Sequence, residues 1–123
     1  MDAQEFDAFC GGLPATEMVV QWGGAHVWKV GGKIFALCGP WGDERDDGTP
    51  KIAFKASDLS SKLLTEQKGL IPAPYLGRYK WVQMQERDAL SDEDLKAYIG
   101  EAHRLVAQKL PKKLRLSLGL NAD

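Results

Sequence analysis

The fold is decided by residues 17–38, which read EMVVQWGGAHVWKVGGKIFALC. Two glycine pairs, Gly23-Gly24 and Gly31-Gly32, separate runs that are rich in β-branched and aromatic residues. Paired glycines suit two-residue hairpin turns because glycine adopts positive φ at little steric cost. We therefore expect a meander of three strands, Met18 to Trp22, Ala25 to Val30 and Lys33 to Cys38.

A helix precedes this meander and another lies near the end of the chain. Asp2 and Glu5 have the spacing of a helix start, and an apolar stripe follows at helical spacing: Phe6, Phe9, Cys10 and Leu13. We expect this first helix to end near Cys10 to Gly12. A second capping pattern and a helical apolar repeat predict the final helix at about Asp92 to Leu110.

The central part of the chain alternates strands with irregular segments. Gly39 to Pro50 is rich in Gly, Pro and Asp, which predicts a long connection. A short helix is expected after residue 57, with Leu59 and Leu63 as its apolar face. The prolines of Ile71 to Gly77 predict irregular structure. Two further strands are expected, Lys51 to Ala56 and Tyr79 to Gln85.

The element order α-β-β-β-β-α-β-α predicts one α+β domain over residues 1–123, an antiparallel sheet with helices packed on one face. The composition agrees, since 123 residues with 44% hydrophobic and 27% charged residues and a net charge of -1 describe an ordinary globular chain. No apolar stretch approaches the roughly 20 residues that span a bilayer, so we expect no membrane segment. The acidic start, Met1 to Glu5, lacks the pattern of a secretion signal, which favours the cytoplasm and reduced thiols.

The chain lacks the spacing of common nucleotide and metal motifs. In a phosphate loop containing Gly32-Lys33, Val27 would occupy the first glycine position and Ile34 the hydroxyl position. In the acidic run Asp43 to Gly48, Arg45 stands where a calcium loop needs an oxygen ligand. The residues that could bind zinc form no local pair: Cys10, Cys38, His26 and His103. We therefore expect no metal and no cofactor.

None of these cysteines and histidines is predicted to be catalytic. Cys10 lies on the apolar stripe of the first helix, which favours a small core residue over a nucleophile. His103 falls beside the apolar face of the final helix, where an exposed or boundary histidine is expected. His26 shares a strand face with Trp28, and we expect it to be partly packed, since no carboxylate is identified that would orient it as a general base.

Cationic side chains interspersed with aromatic ones are the feature that points to a ligand. Lysine and arginine neutralise phosphates, and aromatic rings stack on bases or sugars. The same composition also suits an ordinary sheet, in which edge lysines prevent aggregation and tryptophans fill the core. The candidate DNA-binding residues are Lys29, Lys33, Lys51, Lys55, Arg78, Lys80, Lys112, Lys113 and Arg115.

Several segments together resemble the MmcQ/YjbR proteins. They are GKIF at residues 32–35, GLIPAPYL at 69–76 leading to Trp81-Val82, and LVAQKLPKK at 105–113, with an N-terminal Phe6-x-x-Phe9 helix and Leu13-Pro14. The resemblance implies an α+β fold similar to CyaY and to secretion-chaperone domains, described as a double-wing, DNA-binding type. It supplies no active site. The acidic Gly39 to Pro50 connection departs from what a DNA-contacting wing should carry, so DNA is expected to bind elsewhere.

We therefore expect a non-enzymatic cytoplasmic protein, a monomer or weak homodimer, that binds DNA weakly through Lys and Arg contacts to the backbone. The alternative is a protein-interaction module that uses an exposed sheet face or the Pro72 to Tyr75 loop, with Trp41 and Tyr75 as contacts. A third interpretation, suggested by the analogy with CyaY, is metal binding by the acidic residues of the first helix. Helix capping and solubility also explain those residues, which are Asp2, Glu5 and Asp7.

Overall fold

The computed structural model describes residues 1–21, 23–39, 51–73, 79–86 and 89–120. Its helices are α1 (Ala3–Gly11), α2 (Asp58–Thr65), α3 (Asp92–Gln108) and α4 (Lys112–Ser117). Its strands are β1 (Thr16–Gln21), β2 (Ala25–Val30), β3 (Lys33–Gly39), β4 (Lys51–Lys55), β5 (Leu70–Pro72) and β6 (Trp81–Met84). The predicted α+β class is confirmed.

The described strands form one antiparallel sheet in the order β1-β2-β3-β4-β6-β5. Both glycine pairs adopt positive φ, as the predicted hairpin turns require. The β2–β3 ladder contains an irregularity, because Trp28 lies opposite Ala36 whereas Lys29 lies opposite Ile34. Phe35 is therefore the extra residue of a β-bulge in β3.

The helices cover one face of the sheet. Apolar side chains from α1, α2 and α3 pack there against those of the strands, and the largest fully buried ones include Phe6, Phe35, Phe54, Leu64, Leu95 and Ile99. The opposite face carries a smaller buried cluster, formed by Ala25, Val27, Leu37, Ala53, Ala73 and Trp81. The sheet is thus buried on both faces, with the larger core under the helices.

The two predicted helix starts are present. The Glu5 amide donates to Asp2 Oδ1 at 2.8 Å and the Asp2 amide donates to Glu5 Oε1 at 3.2 Å, a reciprocal capping box. At the start of α3, the Asp94 amide donates to the Ser91 hydroxyl at 3.1 Å. No helix within the described residues combines the length and apolarity needed to cross a membrane.

The predicted element order is incomplete in two places. Ile71 and Pro72, expected to be irregular, belong to the short strand β5 (Leu70–Pro72) at the edge of the sheet. An edge position tolerates Pro72 because its missing amide faces away from the ladder. Pro111, expected to end the helical part of the chain, is the N-cap of a further helix, α4. Proline suits a helix start because the first amides have no intrahelical partner.

The orientation of α2 is the reverse of the predicted one. Leu59 and Leu63, expected to face the core, are 67% and 52% exposed. Ser61 and Leu64 are the buried residues of this helix. The Ser61 hydroxyl donates to the Asp58 carbonyl at 3.0 Å, so its burial leaves no unpaired group.

Candidate nucleic-acid interface

One end of the sheet gathers lysines from several elements. The β2–β3 turn lies at this end together with the junction of β4 and β6. Strands β3 and β4 are antiparallel with Ala36 opposite Phe54, so the start of β3 lies beside the end of β4, where Lys55 pairs with Trp81. The end of α3 reaches the same place, because a Cβ added to Gly31 would lie 2.5 Å from Leu110 Cδ1. We call this region the basic end and define it as Lys33, Lys55, Lys80, Lys109, Lys112 and Lys113.

Lys55 is the best-defined residue of the basic end. Its ammonium donates a hydrogen bond to the Tyr79 carbonyl, which fixes the side chain across the start of β6. Partial burial lowers the pKa of Lys55, and repulsion from Lys109 and Lys80 lowers this pKa further, while Asp58 partly compensates. Three ammonium groups from three parts of the chain therefore share one electrostatic environment.

Lys80 reaches this environment through an uncommon backbone conformation. Its φ is 67°, in the left-handed region that a side chain rarely adopts. The Lys80 carbonyl accepts a hydrogen bond of 2.9 Å from the Ala56 amide, which ties this conformation to the end of β4. Such conformations cost about 1 to 3 kcal/mol and persist where the surroundings enforce them. The exposed Lys80 side chain is consequently held beside Lys55.

The remaining lysines of the basic end lie on either side of Pro111. Lys109 is the C-cap of α3, where the partial negative charge of the helix end favours a cation. Lys112 and Lys113 occupy the first turn of α4, where the helix dipole opposes positive charge. All three side chains are exposed.

The other predicted DNA contacts do not join the basic end as a group. Lys29 is half-buried and lies opposite Glu17 in the β1–β2 ladder, a pairing that offsets its charge. Lys51 is only 5% exposed and lies at the far end of β4, away from the basic end. Arg115 is half-buried, with a buried Nε that has no hydrogen-bond partner among the described residues. Arg78 lies outside the described residues, as do Trp41 and Tyr75 of the alternative interaction site.

A carboxylate does orient His26, contrary to the sequence-based expectation. Asp7 Oδ2 lies 2.6 Å from His26 Nδ1, and Trp28 Nε1 donates to Asp7 Oδ1 at 2.9 Å. One side chain of α1 thereby binds two neighbouring side chains on the helix-side face of β2. The sequence gives only a weak signal for this contact. Asp7 lies three residues before the core residue Cys10, but the contact with His26 and Trp28 forms only when α1 is docked on the sheet.

The two cysteines lie on the same side of the sheet and are not activated by this histidine. Both are buried free thiols. Burial raises the pKa of Cys38 to about 11, and the nearby Asp7 carboxylate adds to the shift. Burial and Asp7 raise the pKa of Cys10 as well. A nucleophilic cysteine needs a lowered pKa, so the arrangement opposes thiolate chemistry at neutral pH.

His103 is a core residue rather than the boundary residue that was expected. It is buried, its Nε2 lies 2.8 Å from the Pro14 carbonyl, and its ring packs edge-on against Phe35 at 5.3 Å. Ring nitrogen and carbonyl form a hydrogen bond that joins α3 to the end of the α1–β1 connection. This hydrogen bond explains why a histidine can be buried at position 103.

Comparison with known proteins places the chain in a family. The family model YjbR matches residues 11–105. The chain belongs to the YjbR family. A crystal structure of protein DR2400 from Deinococcus radiodurans, a DUF419 domain, is similar to it with a TM-score of 0.84, covering 99% of this chain and 91% of that one at 19% identity. No curated protein matches the sequence significantly.

The acidic residues of α1 in this YjbR-family protein are already engaged. Asp2 and Glu5 form the capping box, and Asp7 bridges His26 and Trp28. Within the described residues, no three His, Cys, Asp or Glu side chains are grouped so that they could hold a metal ion.

Proposed function

We propose that this YjbR-family protein is a non-enzymatic, cytoplasmic protein that binds DNA weakly by contacting phosphates at the basic end. The observation that carries the proposal is the convergence of lysines from the β2–β3 turn, β4, the residue before β6 and the end of α3. Ammonium groups that neutralise phosphates release condensed counterions, which drives binding. The buried free thiols support a reducing compartment.

The electrostatics of the folded chain favour an anionic partner. Folding places Lys55 where Lys109 and Lys80 repel it, at a cost in free energy that a bound phosphate would remove. The net charge of the whole chain is only -1, so the basic end is balanced by a negatively charged remainder. That asymmetry would orient the protein as it approaches a duplex.

The chemistry of the basic end predicts binding without sequence preference. Lysine contacts to phosphate position a protein on DNA but carry no base information. The lysines of the basic end extend from turns and from the ends of helices and strands, and the proposal places no described helix in a groove of the DNA. We therefore expect weak affinity that falls steeply with salt and varies little between duplexes of different sequence.

A labelled duplex titrated at several salt concentrations tests the proposal. We expect binding at low salt, about 20 mM, with a slope of log K against log salt of about −4 if four phosphates are contacted. The triple variant Lys55→Gln, Lys80→Gln and Lys109→Gln should reduce the magnitude of that slope by about 3, because each lysine that neutralises a phosphate accounts for about one unit of it.

The matched control removes the same charge elsewhere. Lys62→Gln, Lys68→Gln and Lys96→Gln change three exposed lysines outside the basic end. This control should leave the salt slope close to that of the unmodified protein. No binding at low salt, or equal reductions in the two triple variants with both still folded by circular dichroism, would contradict the proposal.

A further inference from the structure

Strand β1 forms one edge of the sheet, and it is the longer of the two edge strands. It spans six residues, Thr16–Gln21, and pairs with β2 through six consecutive partners. The opposite edge, β5, has three residues and contains Pro72. A short strand with proline is a poor template for further pairing, whereas a long regular strand is a good one.

The sequence of β1 lacks the usual protection of an exposed edge. It contains no lysine and no proline, and its only charged residue is Glu17. Its ladder with β2 is regular, without a bulge that would turn the edge away. Met18 and Val20, which share the helix-side face, are 38% and 58% exposed. Natural proteins rarely leave such an edge open unless something pairs with it.

The backbone of the middle of β1 also has hydrogen-bonding capacity left. In an antiparallel pair, alternate residues direct their amide and carbonyl groups away from the partner strand. Apart from its ladder with β2, β1 makes one further backbone hydrogen bond within the described residues. The Gln21 carbonyl accepts it from the Gly24 amide, at 3.2 Å. The outward groups near Val19 are thus available to another strand.

We propose that β1 pairs antiparallel with β1 of a second copy of this chain, with the two-fold axis at Val19. This register places Met18 opposite the second copy's Val20, so the exposed apolar side chains cover one another. It also places Glu17 opposite Gln21, so the only charged residue of the strand meets a neutral amide rather than another carboxylate. The strand is therefore complementary to itself in both polarity and charge.

The resulting dimer has a definite shape. Two six-stranded sheets join into one continuous sheet of twelve strands, bounded on each side by a β5 strand. A two-fold axis perpendicular to the sheet keeps both helix layers on the same side. The two basic ends then point in opposite directions along the strands, so dimerisation neither builds nor covers the proposed DNA site.

The affinity of this contact should be modest. Only one strand and two apolar side chains from each copy meet, which is less than the interface of a permanent complex. We expect a dissociation constant in the range of about 10 to 100 μM. Sedimentation equilibrium of the full chain from about 5 to 500 μM covers the transition between monomer and dimer for such a constant.

Charge placed on the outer face of β1 tests the register. Val20→Lys should weaken the dimer at least tenfold, about the effect of 1.4 kcal/mol, because it sets ammonium groups against Met18 of the other copy. Met18→Glu should weaken it similarly. An equimolar mixture of these two variants should dimerise again, since the introduced ammonium then faces the introduced carboxylate and the other half of the contact stays apolar. Leu63→Lys, at an apolar site on α2 whose exposure lies between those of Met18 and Val20, should leave the dimer unchanged.

Circular dichroism of each variant separates loss of the dimer from loss of the fold. A dimer that is weakened by both β1 variants and restored in their mixture supports the proposal. A monomeric unmodified chain at about 500 μM would overturn it, and in that case binding of a foreign extended peptide at β1 would assign the edge to a different partner. A dimer that Leu63→Lys disrupts and Val20→Lys does not would also overturn it.

Discussion

Ionisable side chains that are buried or half-buried show how single residues shape this molecule. Asp7 is held by His26 and Trp28, so it joins α1 to β2 and contributes to the raised pKa values of both thiols. The thiols themselves are governed mainly by desolvation, which disfavours the thiolate. Histidine, thiol and carboxylate therefore lie on the same side of the sheet without forming a nucleophilic site.

The pKa of Cys38 predicts a loss of stability at alkaline pH. Its ordinary value is 9.0 and its folded value is about 11, so the unfolded chain releases this proton first. The free energy of unfolding should therefore fall as pH rises from about 9 to about 11, by on the order of 2 to 3 kcal/mol from this thiol. Urea unfolding across this pH range measures the fall. Cys38→Ala should show a shallower pH dependence, and parallel curves for the two proteins would contradict the assignment.

At the scale of elements, α2 shows that packing can override an apolar pattern. Leu63 and Leu64 are adjacent, so the sequence offers two possible buried faces, and the neighbouring β5 and β6 select the one with Leu64. Ser61 is small enough to be buried on that face, which the apolar pattern alone gave no reason to expect. A sequence-based choice between the faces needs the strand order, which is not local information.

Truncation of the two adjacent leucines distinguishes the faces of α2. Leu64→Ala should lower the free energy of unfolding by about 2 to 5 kcal/mol, because it leaves a cavity in the core. Leu63→Ala should change it by less than about 0.5 kcal/mol, since that side chain is largely in solvent. Equilibrium urea denaturation of both variants measures the contrast. A larger cost for Leu63 than for Leu64 would reverse the described orientation.

Other elements were predictable to different degrees for identifiable reasons. Strand β2 and the two-residue β2–β3 turn were predicted correctly because glycine pairs and alternating residues are local signals, whereas the β1–β2 connection has three residues, since Gln21 pairs with Ala25. Strand β5 and helix α4 differ from the prediction because proline, which fixes φ and lacks an amide donor, predicts irregular structure from the sequence alone. Pro72 and Pro111 instead occupy an edge strand and a helix N-cap, the positions where a missing amide costs little.

At the scale of the whole molecule, the basic end is a product of topology. Lys33, Lys55, Lys80 and Lys109 are far apart in the sequence, and only the strand order β3-β4-β6 with the docking of α3 brings them to one end. The sequence identified most of these lysines as candidates but could not group them. It also included Lys51, whose burial depends on the opposite face of the sheet. The sequence did not single out Lys109 as a candidate, because a cation at the end of a helix is already explained by the helix dipole.

The central claim is that phosphate contacts are made at the basic end. Backbone amide NMR spectra of the isotope-labelled chain, recorded while a short duplex is added at low salt, locate those contacts directly. The account predicts that the largest shift changes fall on Lys33, Lys55, Lys80 and Lys109 and their neighbours, and that added salt reverses them. Changes centred on β1 or on the Asp7–His26 pair, or no changes at all, would contradict it.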